Sequence, residues 1–177
     1  MHNSKIKKKI ITLIGPTACN KTSTAVHLIK KFPISIIGVD SVQIYKRFNI
    51  GSAKPPKEIL EKYKHHLVDS ADPENIFSVK DFYDQAYRIV MQAHSNNRIP
   101  LLVGGTMMYF NALFKGINNI PEGNEAIREE LQRELDNRGV DKLFNELKEI
   151  DPESAKTIKQ NDKQRIMRAL EVFKISG

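Results

Sequence analysis

The stretch Lys9-Ile-Ile-Thr-Leu-Ile-Gly15-Pro-Thr-Ala-Cys-Asn-Lys21-Thr22 decides the fold. Its first half, Lys9 to Ile14, is a short β-branched apolar run that reads as a buried strand. Gly15 to Asn20 reads as a loop. Thr22 to Lys31 reads as a helix, with Ala25, Leu28 and Ile29 on one face. A glycine, a short loop and Lys-Thr between a strand and a helix form the pattern of a phosphate-binding loop. Loop amides converge on a concavity and the helix N-terminus adds positive potential, and both favour an anion. The candidate phosphate-binding residues are therefore Gly15, Pro16, Thr17, Ala18, Cys19, Asn20, Lys21 and Thr22. Lys21 would pair with terminal phosphates, and the Thr22 hydroxyl would help hold a magnesium ion. Asn20 stands where the pattern has glycine. Asparagine tolerates left-handed backbone better than other side chains, but it adds bulk near the phosphate. A merely polar turn is the weaker reading in this context.

Working outward, Ile34 to Val39 reads as a second strand that delivers Asp40 at its C-terminal end. A carboxylate there, beside a phosphate loop, sits where open α/β sheets bind ligands. Asp40 is thus a candidate general base or metal-associated group, although alone it would read as a turn aspartate. Lys54-Pro-Pro56 and Ala71-Asp-Pro73 mark irregular chain. Ser78 with Asp81 three residues on forms a helix start. Val79, Phe82, Tyr83, Ala86, Ile89, Val90 and Ala93 then recur at helical spacing, and Ser95-Asn-Asn97 ends that helix. Ile99 to Val103 is a third strand, with Pro100 tolerable only near its beginning. Gly104-Gly-Thr106 follows and opens another helix through Phe114. The two glycines would permit close approach by a substrate, or simply a tight turn. Thr106 is expected to present its hydroxyl at the sheet's functional edge.

After Pro121 the strand signals stop. Ile127, Leu131 and Leu135 share a face, as do Leu143, Phe144, Leu147 and Ile150. Asp151-Pro152 is a cap followed by a first-turn proline. Ile166, Ala169, Leu170 and Phe173 mark the last helix, and Arg165 and Arg168 lie on one side of it. That basic face is equally a solvated surface or an RNA contact. The predicted fold class is α/β, a P-loop NTPase-like parallel sheet core over 1–120 followed by a helical subdomain over 121–177.

Of the 177 residues, 40% are hydrophobic, enough for one real core. No apolar run approaches the ~18–20 residues of a membrane span, so no membrane partner is expected. A single cysteine, Cys19, excludes an internal disulfide and fits a reducing, cytoplasmic setting. The net charge of +7 permits a polyanionic partner without requiring one. Lys5, Lys7, Lys8 and Lys9 read as a solvated leader.

Taken together, four segments resemble the tRNA dimethylallyltransferase (tRNA isopentenyltransferase) family. They are Gly15-Pro-Thr-Ala with Lys21-Thr22, Asp40-Ser-Val-Gln-Ile-Tyr45, Ile50-Gly-Ser-Ala-Lys-Pro55 and Leu102-Val-Gly-Gly-Thr-Met-Met-Tyr109. His65-His-Leu-Val-Asp69, Asp151-Pro152 and Asn161-Asp-Lys-Gln-Arg165 through Gly177 also match. The likeness runs from about residue 9 to the last residue. It implies transfer of a dimethylallyl group from dimethylallyl diphosphate to N6 of an adenosine beside the anticodon. The partners implied are the tRNA anticodon stem-loop and that diphosphate, with Mg2+ as cofactor and a monomer as the working state. By resemblance, Asp40 is the base at the adenine amine. Thr106 contacts tRNA or stabilises the leaving diphosphate, and Arg128 stands near the substrate. Asp40, Ser41, Val42 and Gln43, with Gln164, Arg165, Ile166, Met167 and Arg168, match the tRNA-contact segments.

Members of the family are longer, so an incomplete member is expected, with an exposed apolar face on Ile166, Leu170 and Phe173 if nothing replaces the remainder. Two other readings stay open: a non-catalytic remnant that retains phosphate or RNA binding, and a P-loop small-molecule kinase. The Asp40 and Gly104 segments disfavour the kinase.

Overall fold

A computed structural model describes residues 9–117, 121 and 123–177. The basic leader Lys5, Lys7 and Lys8 lies outside the described residues. The chain divides into two compact units, 1–117 and 118–177.

The first unit runs β1 (Ile11–Ile14), α1 (Lys21–Ile29), β2 (Ile34–Val39), α2 (Lys57–Lys62), β3 (His65–His66), α3 (Val79–Ser95), β4 (Ile99–Gly104) and α4 (Met107–Lys115). The strands form one parallel sheet in the order β1-β4-β2-β3. Ile34 and Ile36 of β2 pack with Leu101 and Ala25 on the α1 side. Ile37 and Val39 pack with Leu102, Phe82 and Phe110 on the α3 and α4 side. The alternation follows from the two-residue repeat of a strand, and the pairing of Ile36 with Leu101 and Ile37 with Leu102 keeps both layers in register. A strand covered on both faces has no polar side, which is why β2 is an almost unbroken apolar run.

Two expectations are corrected. Residues 9–14 do not make a buried strand: β1 is an edge, with Ile11 42% and Ile14 43% exposed. An apolar run cannot reveal how many neighbours a strand has, and among the described residues β1 pairs only with β4. The stretch around Lys54 to Pro73 is also less irregular than expected, since it contains α2 and β3.

In the second unit, α5 (Glu125–Arg138), α6 (Val140–Ile150), α7 (Pro152–Thr157) and α8 (Lys163–Ser176) enclose their own core. Leu131, Leu143, Leu147, Ile166 and Leu170 are fully buried in it. The expected exposed face on α8 is therefore corrected. Ile166 and Leu170 are covered by α5 and α6, and of these three residues Phe173, 38% exposed, faces solvent. Asp151 caps α7 by accepting from Ser154 N at 3.0 Å, with Pro152 in the first turn. Among the described residues no helix is long and apolar enough to cross a membrane.

Candidate functional site

The phosphate loop connects β1 to α1. Ala18 and Asn20 take left-handed backbone, at φ 67° and φ 59°. Asn20 thus adopts the conformation for which the glycine of the pattern is ordinarily used. Its carbonyl accepts from Thr24 N at 3.1 Å and Ser23 Oγ at 3.0 Å, which fixes the entry into α1. Lys21 folds back across the loop: Nζ donates to Gly15 O at 2.7 Å and to Pro16 O at 2.5 Å. Its sulfur neighbour, Cys19 Sγ, lies 3.6 Å away. The ammonium and the loop carbonyls hold each other in the space a phosphate oxygen would contest.

Asp40 projects from the C-terminal end of β2. Its Oδ1 accepts from Val42 N at 2.9 Å and Gln43 N at 3.1 Å, so one oxygen does the work of a turn aspartate. The Oδ2 has no hydrogen bond within the described residues. Thr106, at the start of α4, is tied to the same segment. Its Oγ1 accepts from Ser41 N at 3.0 Å and lies 3.4 Å from Ser41 Oγ. The Thr106 hydroxyl is therefore partly occupied in holding the Asp40 loop, rather than standing free at the edge. Gly104 is required by the fold. A Cβ there would collide with the backbone of Val39 on the adjacent strand. The neighbouring strand thus makes a close approach at Gly104, which also lines the cleft described next.

The phosphate loop and Asp40 open into one cleft of about 600 Å³. Gln43 builds its far wall, with Nε2 donating to Ser52 O at 3.1 Å and Ala53 O at 3.0 Å. Behind that wall is an ion cage. Lys54, its side chain only 4% exposed, donates to Asp69 Oδ1 at 2.6 Å and Tyr45 O at 2.8 Å. Sequence reasoning missed this cage, because Lys54 and Asp69 are joined by folding and not by any spacing. It also missed His27 and Lys30, which line the cleft. Their separation from Ser23 by four and seven residues, one face of α1, was the available signal.

Tyr109 stacks on Phe82 at 4.0 Å beneath the site. Burial, with smaller contributions from Tyr45, Asp40 and Asp81, pushes its phenol up to about 12. It is neutral at any ordinary pH.

The remaining candidates belong to the helical unit. Arg128 Nε donates to Glu171 Oε1 at 2.8 Å, and Arg168 donates to Glu171 Oε2 at 2.6 Å and to Pro121 O at 2.8 Å. Arg165 pairs with Asp162 at 2.6 Å. Gln164 is exposed and Met167 half-buried. Ile166 lies wholly in the core, so its side chain presents nothing to a partner. Glu171 is itself buried. Burial alone would raise its carboxyl, but the hydrogen bonds from Arg168 and Asn124 N and the charges of both arginines outweigh this and lower it.

A family model described as IPP transferase matches residues 43–177. Curated proteins named tRNA dimethylallyltransferase align along nearly the whole chain. The one from Vesicomyosocius okutanii is 46% identical over 98% of this chain and 57% of its own length. The one from Buchnera aphidicola is 49% identical over 98% of this chain and 54% of its own. Among solved structures, a full-length tRNA isopentenylpyrophosphate transferase from Bacillus halodurans is 40% identical with a TM-score of 0.61, covering 97% of this chain and 57% of that one. A eukaryotic dimethylallyltransferase acting on tRNA is 28% identical with a TM-score of 0.78, covering 94% of this chain and 41% of that one. The chain spans about half the length of the curated relatives it matches. On the family match, which takes in Asp40's neighbour segment from Gln43 onward and both helical and sheet elements, the chain belongs to the IPP transferase family.

Proposed function

We propose that the chain transfers a dimethylallyl group from dimethylallyl diphosphate to N6 of the adenosine adjacent to the anticodon in tRNA. The observation that carries this reading is that the phosphate loop and Asp40 line one cleft. An anion site and a proton acceptor facing the same space are what this reading requires, and the shared lining supports it. The donor brings its own leaving group, so no nucleotide need be hydrolysed. The amine nitrogen forms a bond to C1 of the donor, the C1–O bond breaks, and its electron pair leaves with the diphosphate. Asp40, through the oxygen left free by the turn, takes the amine proton. Lys21, on leaving the loop carbonyls, and the loop amides neutralise the charge that develops on the diphosphate. Thr106 and Ser41 hold the Asp40 segment in place. A base paired or stacked in RNA must leave its stack to enter such a cleft. Arg128, Gln164, Arg165 and Arg168 would serve the RNA from the helical unit.

Magnesium suits this donor set. Among the described residues no group of three or more His, Cys, Asp or Glu is gathered to hold a metal alone. Magnesium bound chiefly through phosphate oxygens and water needs few protein ligands, and Thr22 and Asp40 are offered in the cleft. When bound, it would add positive charge at the diphosphate. Incubation with labelled dimethylallyl diphosphate and unmodified tRNA tests the reading. Label in tRNA, with release of diphosphate, is expected. Phosphate release from ATP with a small acceptor, and no label in tRNA, would overturn it in favour of a kinase.

A further inference from the structure

A second cavity, of about 410 Å³, lies at the opposite edge of the sheet. The phosphate loop and Asp40 follow the C-terminal ends of β1 and β2. This cavity lies instead at the N-terminal ends of β2 and β4, where Ile34, Ser35 and Arg98 stand, and is closed by the segment between α2 and β3 and by the end of α3. Its charged lining is wholly basic: Lys62, Lys64 and Arg98, with His66 beside them and no carboxylate.

Some cations of the chain pair with carboxylates and others, such as Lys21 and Lys148, bond only neutral acceptors; Lys62, Lys64 and Arg98 are set apart by lining one cavity together. Arg47, Lys54, Arg128, Arg165 and Lys174 all have carboxylate partners. Lys62, Lys64 and Arg98 have none within the described residues. Arg98 is anchored from behind, its Nε donating to Ser35 Oγ at 3.0 Å and a terminal nitrogen to Ile34 O. Ser35 is itself buried, so the guanidinium is oriented while its other N–H donors stay unpaired within the described residues. Lys62 Nζ sits 5.8 Å from the centre of the Tyr63 ring, and Lys30 Nζ sits 5.9 Å from it. The aromatic thus gathers cations where they would otherwise repel. His66 registers the resulting field. Burial first, then Lys64, Arg98 and His65, hold its imidazole below the ordinary value. Gln92 and Asn96 add neutral donors.

We propose that this cavity binds a phosphate group, with Lys62, Lys64 and Arg98 as its cationic donors. An oriented guanidinium and two ammonium groups in a concave site suit tetrahedral phosphate oxygens. Either an RNA backbone or a free phosphorylated small molecule can supply that chemistry. The site is separate from the cleft of the proposed transferase reaction, and neither reading depends on the other.

The test titrates the 177-residue chain with inorganic phosphate, against chloride at matched ionic strength, and follows the His66 ring resonances by NMR. A saturable shift specific to phosphate is expected. Roughly tenfold weaker binding is expected in both Lys64→Gln and Arg98→Gln, since each loses a charge-assisted hydrogen bond. Lys64 is exposed and tied to no described partner, so Lys64→Gln leaves the fold intact even if Arg98→Gln does not. If RNA is the source, the slope of log affinity for tRNA against log salt falls by about 1 in Lys64→Gln. An unchanged slope, with phosphate binding weakened in Lys64→Gln, assigns a free phosphorylated ligand. A His66 response no greater with phosphate than with chloride, or phosphate binding unaltered in Lys64→Gln, overturns the proposal.

Discussion

At Asn20 the backbone holds φ 59° and ψ 25° while the carbonyl anchors the first turn of α1. A side chain other than asparagine or aspartate pays about 1–2 kcal/mol in that region, and glycine pays nothing. Asn20→Ala is expected to lower thermal stability by about 1 kcal/mol, with Asn20→Gly neutral or slightly stabilising. Calorimetric melting of the three proteins checks this. Equal loss in both variants would mean that the side chain, and not the backbone, holds the loop. Asp40 shows a related division of labour: one oxygen caps a turn and the other has no hydrogen bond among the described residues. Asp40→Asn keeps an acceptor for the turn and removes the base, so it separates the two duties. Transfer is expected to fall about a hundredfold or more with little change in melting temperature.

Among the elements, α3 has the most explicit start. Ser78 Oγ accepts from Asp81 N at 3.1 Å, and the Asp81 carboxylate accepts from Ser78 N at 2.9 Å. Hydrogen bonds from the Ser78 side chain and backbone lower the Asp81 carboxyl below its ordinary value. Ser78→Ala is expected to cost about 1 kcal/mol, read from denaturant unfolding. This cap was legible in the sequence because its partners are three residues apart. The same holds for β2, an apolar run broken only by Ser35, and for the Asp151-Pro152 start of α7. What was not legible depends on partners distant in the chain. The exposure of β1 depends on the absence of a second described neighbour. The two-residue β3 is too short to leave a pattern. At the site, the phosphate loop and Asp40 were readable as local strings. The Ser41–Thr106 contact, the Lys54–Asp69 cage and the Arg128–Glu171–Arg168 cluster join residues 65, 15, 43 and 3 positions apart, and the first three pairs are brought together by the tertiary fold rather than by local spacing. The i+3 pair among these was visible as a helix pair, but that Glu171 would be buried was not.

For the molecule as a whole, the ionic design differs between the units. The helical unit closes around Glu171, whose carboxyl lies below its ordinary value through its arginine partners and the Asn124 amide. A carboxylate with a lowered folded value contributes stability above its unfolded value, and that contribution is lost as pH falls through the folded one. Unfolding of this unit is therefore expected to become easier below about pH 4.3. In Glu171→Gln the acid dependence is expected to shrink, and stability near neutral pH to drop by about 3 kcal/mol as two arginines lose their buried partner. Denaturant melts across pH 3 to 7 check both.

The proposed reaction requires Asp40 and the phosphate loop to act as one reacting centre. Single-turnover transfer of labelled dimethylallyl from its diphosphate to unmodified tRNA, comparing the chain with Asp40→Ala, decides this. Label in tRNA is expected for the chain and at least about a hundredfold slower labelling in the variant, with donor binding retained. No product from the chain above the Asp40→Ala control would contradict it.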